Sequence, residues 1–305
     1  MIKYYSASKL RLIFAIFLIN ALVACGGSNN STYSGSLSLG ITDGPIEIAD
    51  VVSVSFTAVE VHGPETILFE FEEAQTINLL DYQGNERLML LDGEELPTGN
   101  YQWLRLIVND DASYIEIEGE QYPLLIPSGA ETGLKLNQNF VVASGATSDF
   151  TIDFDLRKSI HQEGNGDYTL RPTLRIVNNL EAGSITGTID SDLIFSQDCH
   201  NGDNNDIGNM IYLYDQGIIS FFQDFQGNAN DPIATSPVIY NEVSGDYEYT
   251  LGFIAPGVDV YMVAFTCDAL LDVNSEDNSD DMYFYAYAPV TVTAGTTTVV
   301  DIPYF

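Results

Sequence analysis

Val52-Ser53-Val54-Ser55-Phe56-Thr57-Ala58 alternates apolar and hydroxyl-bearing residues with a period of two. Successive side chains of an extended strand point to opposite faces, so this stretch predicts a half-buried β-strand. The pattern recurs. Phe150, Ile152, Phe154 and Leu156 alternate with Thr151, Asp153, Asp155 and Arg157, and Leu170, Leu174 and Ile176 alternate with Thr169, Arg171, Thr173 and Arg175. If these two strands are neighbours, aspartates face arginines across the ladder, and most of the few bases are used structurally. Leu104, Leu106 and Val108 form another strand, with Trp103 and Arg105 on its other side. Turn signals at Asp43-Gly44-Pro45, Gly63-Pro64, Pro97-Thr98-Gly99, Pro127-Ser128-Gly129 and Gly164-Asn165-Gly166 punctuate the strands. Helical periodicity is nearly absent, and 77–91 is the one stretch where a helix competes. Many short strands with regular turns predict an all-β protein of two tandem antiparallel β-sandwich domains.

An internal echo supports two similar modules. Gly35-Ser36-Leu37-Ser38 opens the first and Gly183-Ser184-Ile185-Thr186 the second. Val142-Ala143-Ser144-Gly145-Ala146-Thr147 leads into Phe150 and Ile152, as Val292-Thr293-Ala294-Gly295-Thr296-Thr297 leads into Val300 and Ile302. Both read as a hairpin closing a sandwich, with glycine in the turn. Convergence on one hairpin chemistry explains this as well as duplication does. Charge divides the chain at the same place. The 305 residues carry 10 Lys+Arg against 44 Asp+Glu, and residues 183–305 hold 19 of the acids and no Lys or Arg. Such a field repels nucleic acid and anionic head groups and attracts divalent cations and basic partners. Solubility and adaptation to salt are the plainer explanation.

The N-terminus reads as an export leader. Lys3, Lys9 and Arg11 precede an apolar run, 12–23, that is too short for a comfortable membrane span. Leu22-Val23-Ala24-Cys25 resembles a bacterial lipobox, in which the cysteine is lipidated and becomes the mature N-terminus. Gly26 after it favours the outer membrane by analogy. The expected organisation is a signal peptide over 1–24, lipidated Cys25 and a flexible tether over 25–34, a first sandwich over 35–181 and an acidic second sandwich over 182–305. Cys199 and Cys267 remain as an even pair in an exported chain and read as one disulfide, worth on the order of 4 kcal/mol by loop entropy. Two free thiols or a thiolate metal site are the alternatives.

A family resemblance runs through the first module. Gly40-Ile41-Thr42-Asp43-Gly44-Pro45 and Val54 to His62 resemble the start of the DUF4382 family. Leu96-Pro97-Thr98-Gly99-Asn100-Tyr101 and Arg105-Leu106 resemble its middle. Gly133-Leu134-Lys135-Leu136, Phe154-Asp155-Leu156-Arg157-Lys158-Ser159 and Arg171-Pro172-Thr173-Leu174-Arg175 resemble its end. The resemblance covers about 35–180 and implies an exported or lipoprotein β-domain of bacteria, with no activity attached. The second module is loosely similar to transthyretin-like and carboxypeptidase-regulatory-like sandwiches, through Gly183 to Ile189, Gly245-Asp246-Tyr247 and Pro256-Gly257-Val258. It departs from them in its long acidic loops.

Catalytic signals are sparse. The three histidines are His62, His161 and His200, and no nucleophile elbow, zinc-helix motif, phosphate loop or dinucleotide fingerprint occurs. With 44 acids, a suitably spaced carboxylate pair is expected by chance. The expectation is a non-catalytic envelope lipoprotein that binds an envelope protein or a glycan, with a structural spacer and a carbohydrate-binding or hydrolytic surface protein as alternatives. Two stretches are dense in oxygen ligands for a hard cation such as Ca²⁺. They supply Asp203 and Asp206 from one side and Asp272, Asn274, Asp277 and Asp280 from the other. A disulfide between Cys199 and Cys267 would bring the two together. Asp272, Asn274 and Glu276 have the opening spacing of an EF-hand loop, but Asp277 stands where glycine is required and Tyr283 where the closing Glu belongs. A solvated acidic face is the plainer reading. The second module is also rich in aromatics. Tyr283-Phe284-Tyr285-Ala286-Tyr287 puts three tyrosines on one face and Phe284 on the other. Exposed tyrosines beside acids would stack on sugars, and buried ones would be core.

Overall fold

Ser34 to Gly44 is a strand because its alternate residues Leu37, Leu39 and Ile41 are wholly buried, and every later strand is added around it. The computed structural model describes residues 33–44, 46, 49–127, 133–196, 199, 208–215, 218, 222–224, 228–257, 260–267 and 283–304. Among them the first half contains β1 (Ser34–Gly44), β2 (Val51–His62), β3 (Thr66–Asn78), β4 (Leu88–Pro97), β5 (Gly99–Tyr101), β6 (Trp103–Val108), β7 (Tyr114–Ile117) and β8 (Glu120–Leu125). It continues with β9 (Leu134–Leu136), β10 (Phe140–Val142), β11 (Thr147–Asp155), the single-turn helix α1 (Leu156–Ser159), β12 (Ile160–Gln162), β13 (Tyr168–Leu170) and β14 (Leu174–Asn178). One sheet has the order β14-β11-β1-β4. It faces a larger sheet, β12-β13-β8-β7-β2-β6-β9, with β3 added on β2. Phe56 of β2 meets Phe154 of β11 edge to face, with ring centroids 6.1 Å apart, in the apolar core between them.

The second half contains β15 (Gly183–Ile189), α2 (Ser191–Ile194), β16 (Met210–Tyr214), β17 (Ala234–Pro237), β18 (Ile239–Asn241), β19 (Asp246–Ile254), β20 (Tyr261–Thr266), β21 (Ala286–Val290) and β22 (Thr297–Val299). Its sheets run β18-β19-β15-β22 and β17-β16-β20-β21, and a separate core fills the space between them. Residues Ser34–Phe305 form one compact unit.

The all-β sandwich architecture is as the alternation predicts, with three refinements. First, β2 is buried on both faces. Ser53 and Ser55 are as hidden as Val52 and Val54, because the turn at Asp110–Ala112 lies over them and the Ser113 hydroxyl accepts from the Ser55 amide at 3.2 Å. Second, 77–91 holds only a 3₁₀ turn at Leu79–Asp81, which leads toward β4. Third, the sheets are mixed rather than purely antiparallel, and the echoed sequences are where this happens. β10 pairs with β5 while β11 pairs in parallel with β1, so the turn between them is a crossover between sheets, not a hairpin. β21 and β22 repeat it, β22 lying parallel to β15.

The two crossovers match atom for atom. Ser36 Oγ lies 2.9 Å from Thr147 Oγ1, and Ser184 Oγ lies 2.8 Å from Thr297 Oγ1. Gly145 and Gly295 turn with φ of 69° and 67°, a conformation that favours glycine. A Cβ on Gly35 or Gly183 would lie 2.4 Å from a carbonyl of the following crossover, so a side chain there is excluded.

The sandwiches touch most closely at Gly84, which turns with φ 65°, and Gly252 of β19. A Cβ on Gly252 would fall 2.0 Å from the Gly84 carbonyl oxygen and 2.6 Å from Asn85 Oδ1; the Asn85 side chain could turn aside, but the Gly84 main chain is the closer obstacle. Gly252→Ala is therefore expected to lower the melting temperature by several degrees, the order of a 1–3 kcal/mol overpacking cost. An unchanged melting temperature in calorimetry would contradict this close approach.

Candidate functional site

Three of the stretches that carry the family resemblance converge on one place. Thr42-Asp43-Gly44 ends β1, Asp153 to Ser159 ends β11 and forms α1, and Arg171 to Arg175 leads into β14. Local hydrogen bonds fix the geometry. The Asp155 carboxylate caps α1 by accepting from the Lys158 amide at 3.4 Å, and Ser159 Oγ accepts from the Thr173 amide at 2.9 Å. Thr42 Oγ1 meets the Tyr82 and Glu86 carbonyls at 3.0 and 2.8 Å. As the alternation predicted, Asp153 of β11 faces Arg175 of β14 and the two form an ion pair.

From this end of the first sandwich, cations reach into the second. The Arg157 guanidinium pairs with Asp224, their side chains 3% and 9% exposed, and lies 5.6 Å from the Tyr212 ring. Lys158 Nζ donates to the Pro232 carbonyl at 3.0 Å while pairing with Asp155 at 3.0 Å. Arg175 donates to the Phe253 carbonyl at 3.0 Å.

Beneath these contacts is a small cleft of about 20 Å³, lined by Thr42, Asp43, Asp153, Asp155 and Arg175 from one sandwich and Thr235 and Thr250 from the other. It holds about one water molecule. Asp43 is 4% exposed, and neither of its carboxylate oxygens has a hydrogen-bond partner among the described residues. Burial pushes its pKa well above the ordinary carboxylate range. Asp153 and Asp155 add to the shift, and the Gly44 and Leu156 amides oppose it without reaching hydrogen-bonding geometry. Burial also raises Asp155 to about 6, against the pull of Lys158.

Residues 34–172 match the family model described as Domain of unknown function (DUF4382). The first sandwich is a DUF4382 domain. No curated protein matches the chain. Among solved structures, the chain is similar over 89% of its length to the TIE protein of Bacillus anthracis, at 9% identity and a TM-score of 0.18, spanning only 34% of that protein. It is also similar to GBS52, the minor pilin of Streptococcus agalactiae (10% identity, 88% of this chain and 95% of that one, TM-score 0.19), and to the shaft pilin SpaA of Lactobacillus rhamnosus GG (10%, 88% and 96%, 0.20). At such TM-scores these likenesses bear on neither fold nor function.

The DUF4382 domain carries a second cluster on the outer face of its larger sheet. Trp103 stacks on His62, ring centroids 4.9 Å apart, with Arg105 and Lys135 at 4.8 and 4.6 Å from its ring. His62 Nδ1 lies 2.7 Å from Thr66 Oγ1, and His161 sits exposed on β12. In the second sandwich, Cys199 and Cys267 are joined in the expected disulfide. A wider hollow of about 320 Å³ opens there, lined by Thr188, Asp190, Ser191, Asp246, Tyr247 and Asp301. Tyr240 and Phe195, 47% and 56% exposed, pack against Tyr247 at 5.1 and 6.1 Å.

Tyr212 and Tyr214 are core, Phe284 packs against them, and Tyr283 and Tyr287 are exposed. Cys25, His200 and the six oxygen-ligand residues Asp203, Asp206, Asp272, Asn274, Asp277 and Asp280 lie outside the described residues. Among the described residues, no group of three Asp, Glu, His or Cys is placed to hold a metal, and no helix is long and apolar enough to cross a membrane. Sequence reasoning missed Asp43 as a site residue, since one aspartate at a strand end beside Gly-Pro signals a turn.

A carboxyl whose folded pKa is raised contributes stability that is present below its unfolded pKa and is lost as pH climbs toward the folded value. Asp43→Asn should therefore raise the melting temperature at pH 7 to 8 in EDTA by a few degrees, and the difference should vanish near pH 4. Equal melting temperatures at every pH would mean that Asp43 is not the dry carboxyl described.

Proposed function

We propose that this protein is a non-catalytic, lipid-anchored interaction module of the bacterial cell envelope, held at the outer membrane through Cys25 and reading envelope glycans with its second sandwich. The hollow at Asp190, Asp246 and Asp301 carries the reading. Its carboxylates offer acceptors for hydroxyl groups, and Tyr240 and Phe195 offer exposed rings beside them for the apolar faces of a sugar. Asp301 Oδ1 is already fixed by the Thr188 amide and hydroxyl at 2.9 and 3.0 Å, and Asp190 by the Asp192 amide at 2.9 Å. Carboxylates held in that way are positioned acceptors rather than a mobile acid and base. The two carboxyls with raised pKa face a cavity too small for a substrate, which also favours binding over hydrolysis.

The buried Arg157–Asp224 pair supports a spacer as the second reading, because it ties the sandwiches into a stiff body. On that reading, deletion should alter envelope integrity with no ligand involved.

Two experiments test the proposal. Cells expressing Cys25→Ser should release a protein that the wild type retains in the outer-membrane fraction labelled by palmitate. On an array of envelope oligosaccharides, the protein should bind at least one class, and Tyr240→Ala with Phe195→Ala should weaken that binding about tenfold, equivalent to 1.4 kcal/mol. Binding indifferent to both aromatics, or turnover of a bound sugar, would refute the assignment.

A further inference from the structure

We infer that the cavity between the sandwiches is a binding site for one hard cation, such as Ca²⁺, with Asp43 as its principal ligand. The inference rests on the unspent oxygens of a buried carboxylate. Asp43 is 4% exposed and lines the cavity, and neither of its oxygens has a hydrogen-bond partner among the described residues. A carboxylate removed from water without a partner is costly, and that cost is relieved by a proton or by a cation.

The surroundings favour a cation. Asp153, Asp155 and Arg175 line the same cavity, and the two nearest bases are paired with Asp153 and Asp155 rather than with Asp43. Arg175 serves Asp153 and the Phe253 carbonyl, and Lys158 serves Asp155 and the Pro232 carbonyl. Three carboxylates against two cations leave one negative charge, and Asp43 is the carboxylate with neither of these cations paired to it. The volume, about 20 Å³, suits a single ion or water and excludes larger ligands. The three carboxylates do not close into a chelating group as they stand, so neutral oxygens would complete the shell. Thr235, Gly84 and Thr250 line the same space and carry hydroxyl and carbonyl oxygens, and Ca²⁺ accepts hydroxyl, carbonyl and water oxygens alongside carboxylates. Because lining residues come from both sandwiches, an ion here would clamp one to the other.

The test uses the full chain purified in detergent, stripped with EDTA at pH 8, then titrated with ⁴⁵Ca²⁺ by equilibrium dialysis and melted with and without millimolar Ca²⁺, with Mg²⁺ at equal ionic strength as control. The expected result is a Ca²⁺ site lost in Asp43→Asn and a Ca²⁺-dependent rise of several degrees in melting temperature that disappears with it. Thr235→Val, which removes a lining hydroxyl and no charge, should weaken the same binding several-fold, and it decides the matter if Asp43→Asn does not fold. A joint replacement of Asp203, Asp206, Asp272, Asp277 and Asp280 by Asn should leave that site in place. Full ⁴⁵Ca²⁺ binding by Asp43→Asn, its loss only in the five-fold variant, undiminished affinity in Thr235→Val, or no Ca²⁺ binding by the wild type would each overturn the assignment.

Discussion

The ion pair between Arg157 and Asp224 is the contact on which the rest of the structure depends. Both side chains are almost fully buried, so neither charge is left to water. Burying two charges costs several kcal/mol per ion unless attraction and further contacts offset it. Here the guanidinium also faces the Tyr212 ring. Such a pair is weak evidence for extra stability, but it demands register. The placement of the second sandwich that pairs Asp224 with Arg157 also brings Pro232 to Lys158 and Phe253 to Arg175. The four residues of α1 are what aim these groups. Asp155 caps the turn, and Arg157 and Lys158 leave it toward the neighbour.

The economy of positive charge follows from the same junction. Lys3, Lys9 and Arg11 lie outside the described residues, and seven Lys and Arg remain. Six meet a carboxylate: Arg87 with Asp149, Arg105 with Glu60, Arg157 with Asp224, Lys158 with Asp155, Arg171 with Glu163 and Arg175 with Asp153. The seventh, Lys135, lies against Trp103. Five of these six pairs are buried or partly buried, and Arg171 with Glu163 is exposed. All seven belong to the first sandwich, yet half of the junction they build lies in the second, which has no Lys or Arg of its own.

What the sequence revealed depends on whether a signal is local. Period-2 alternation identified β2, β6, β11 and β14, and it implied aspartates facing arginines if β11 and β14 were neighbours, which the Asp153–Arg175 register bears out. Two cysteines in a chain that reads as exported sufficed to expect the disulfide. The double burial of β2 was hidden because Ser53 and Ser55 look like solvent-facing residues until the turn before Ser113 lies across them. The echoed crossovers were legible as a repeat but not as a topology. A glycine turn between two extended runs fits a hairpin and a change of sheet equally well, and the distinction rests on pairing with β1 and β15, more than a hundred residues away. Asp43 was hidden for a similar reason, since what buries it is the other sandwich.

The repeat gives the two hollows a common origin. In each module the opening strand pairs in parallel with the strand after the crossover, β1 with β11 and β15 with β22. Past the end of each opening strand is an aspartate-lined space. In the first module it is bounded by Asp43, Asp153 and Asp155, and the second sandwich closes over it to leave about 20 Å³. In the second module it is bounded by Asp190 and Asp301, where Ile189 bridges to Ile302, and it stays open at about 320 Å³. The same end of the same module is thus covered in one copy and free in the other. Covering removes water from Asp43 and leaves room for a single ion, whereas leaving the end open keeps Asp190 and Asp301 hydrated, hydrogen-bonded and within reach of a ligand beside Tyr240 and Phe195. The difference between a structural site and a recognition site here is whether a neighbouring sandwich takes the place that a ligand would otherwise occupy.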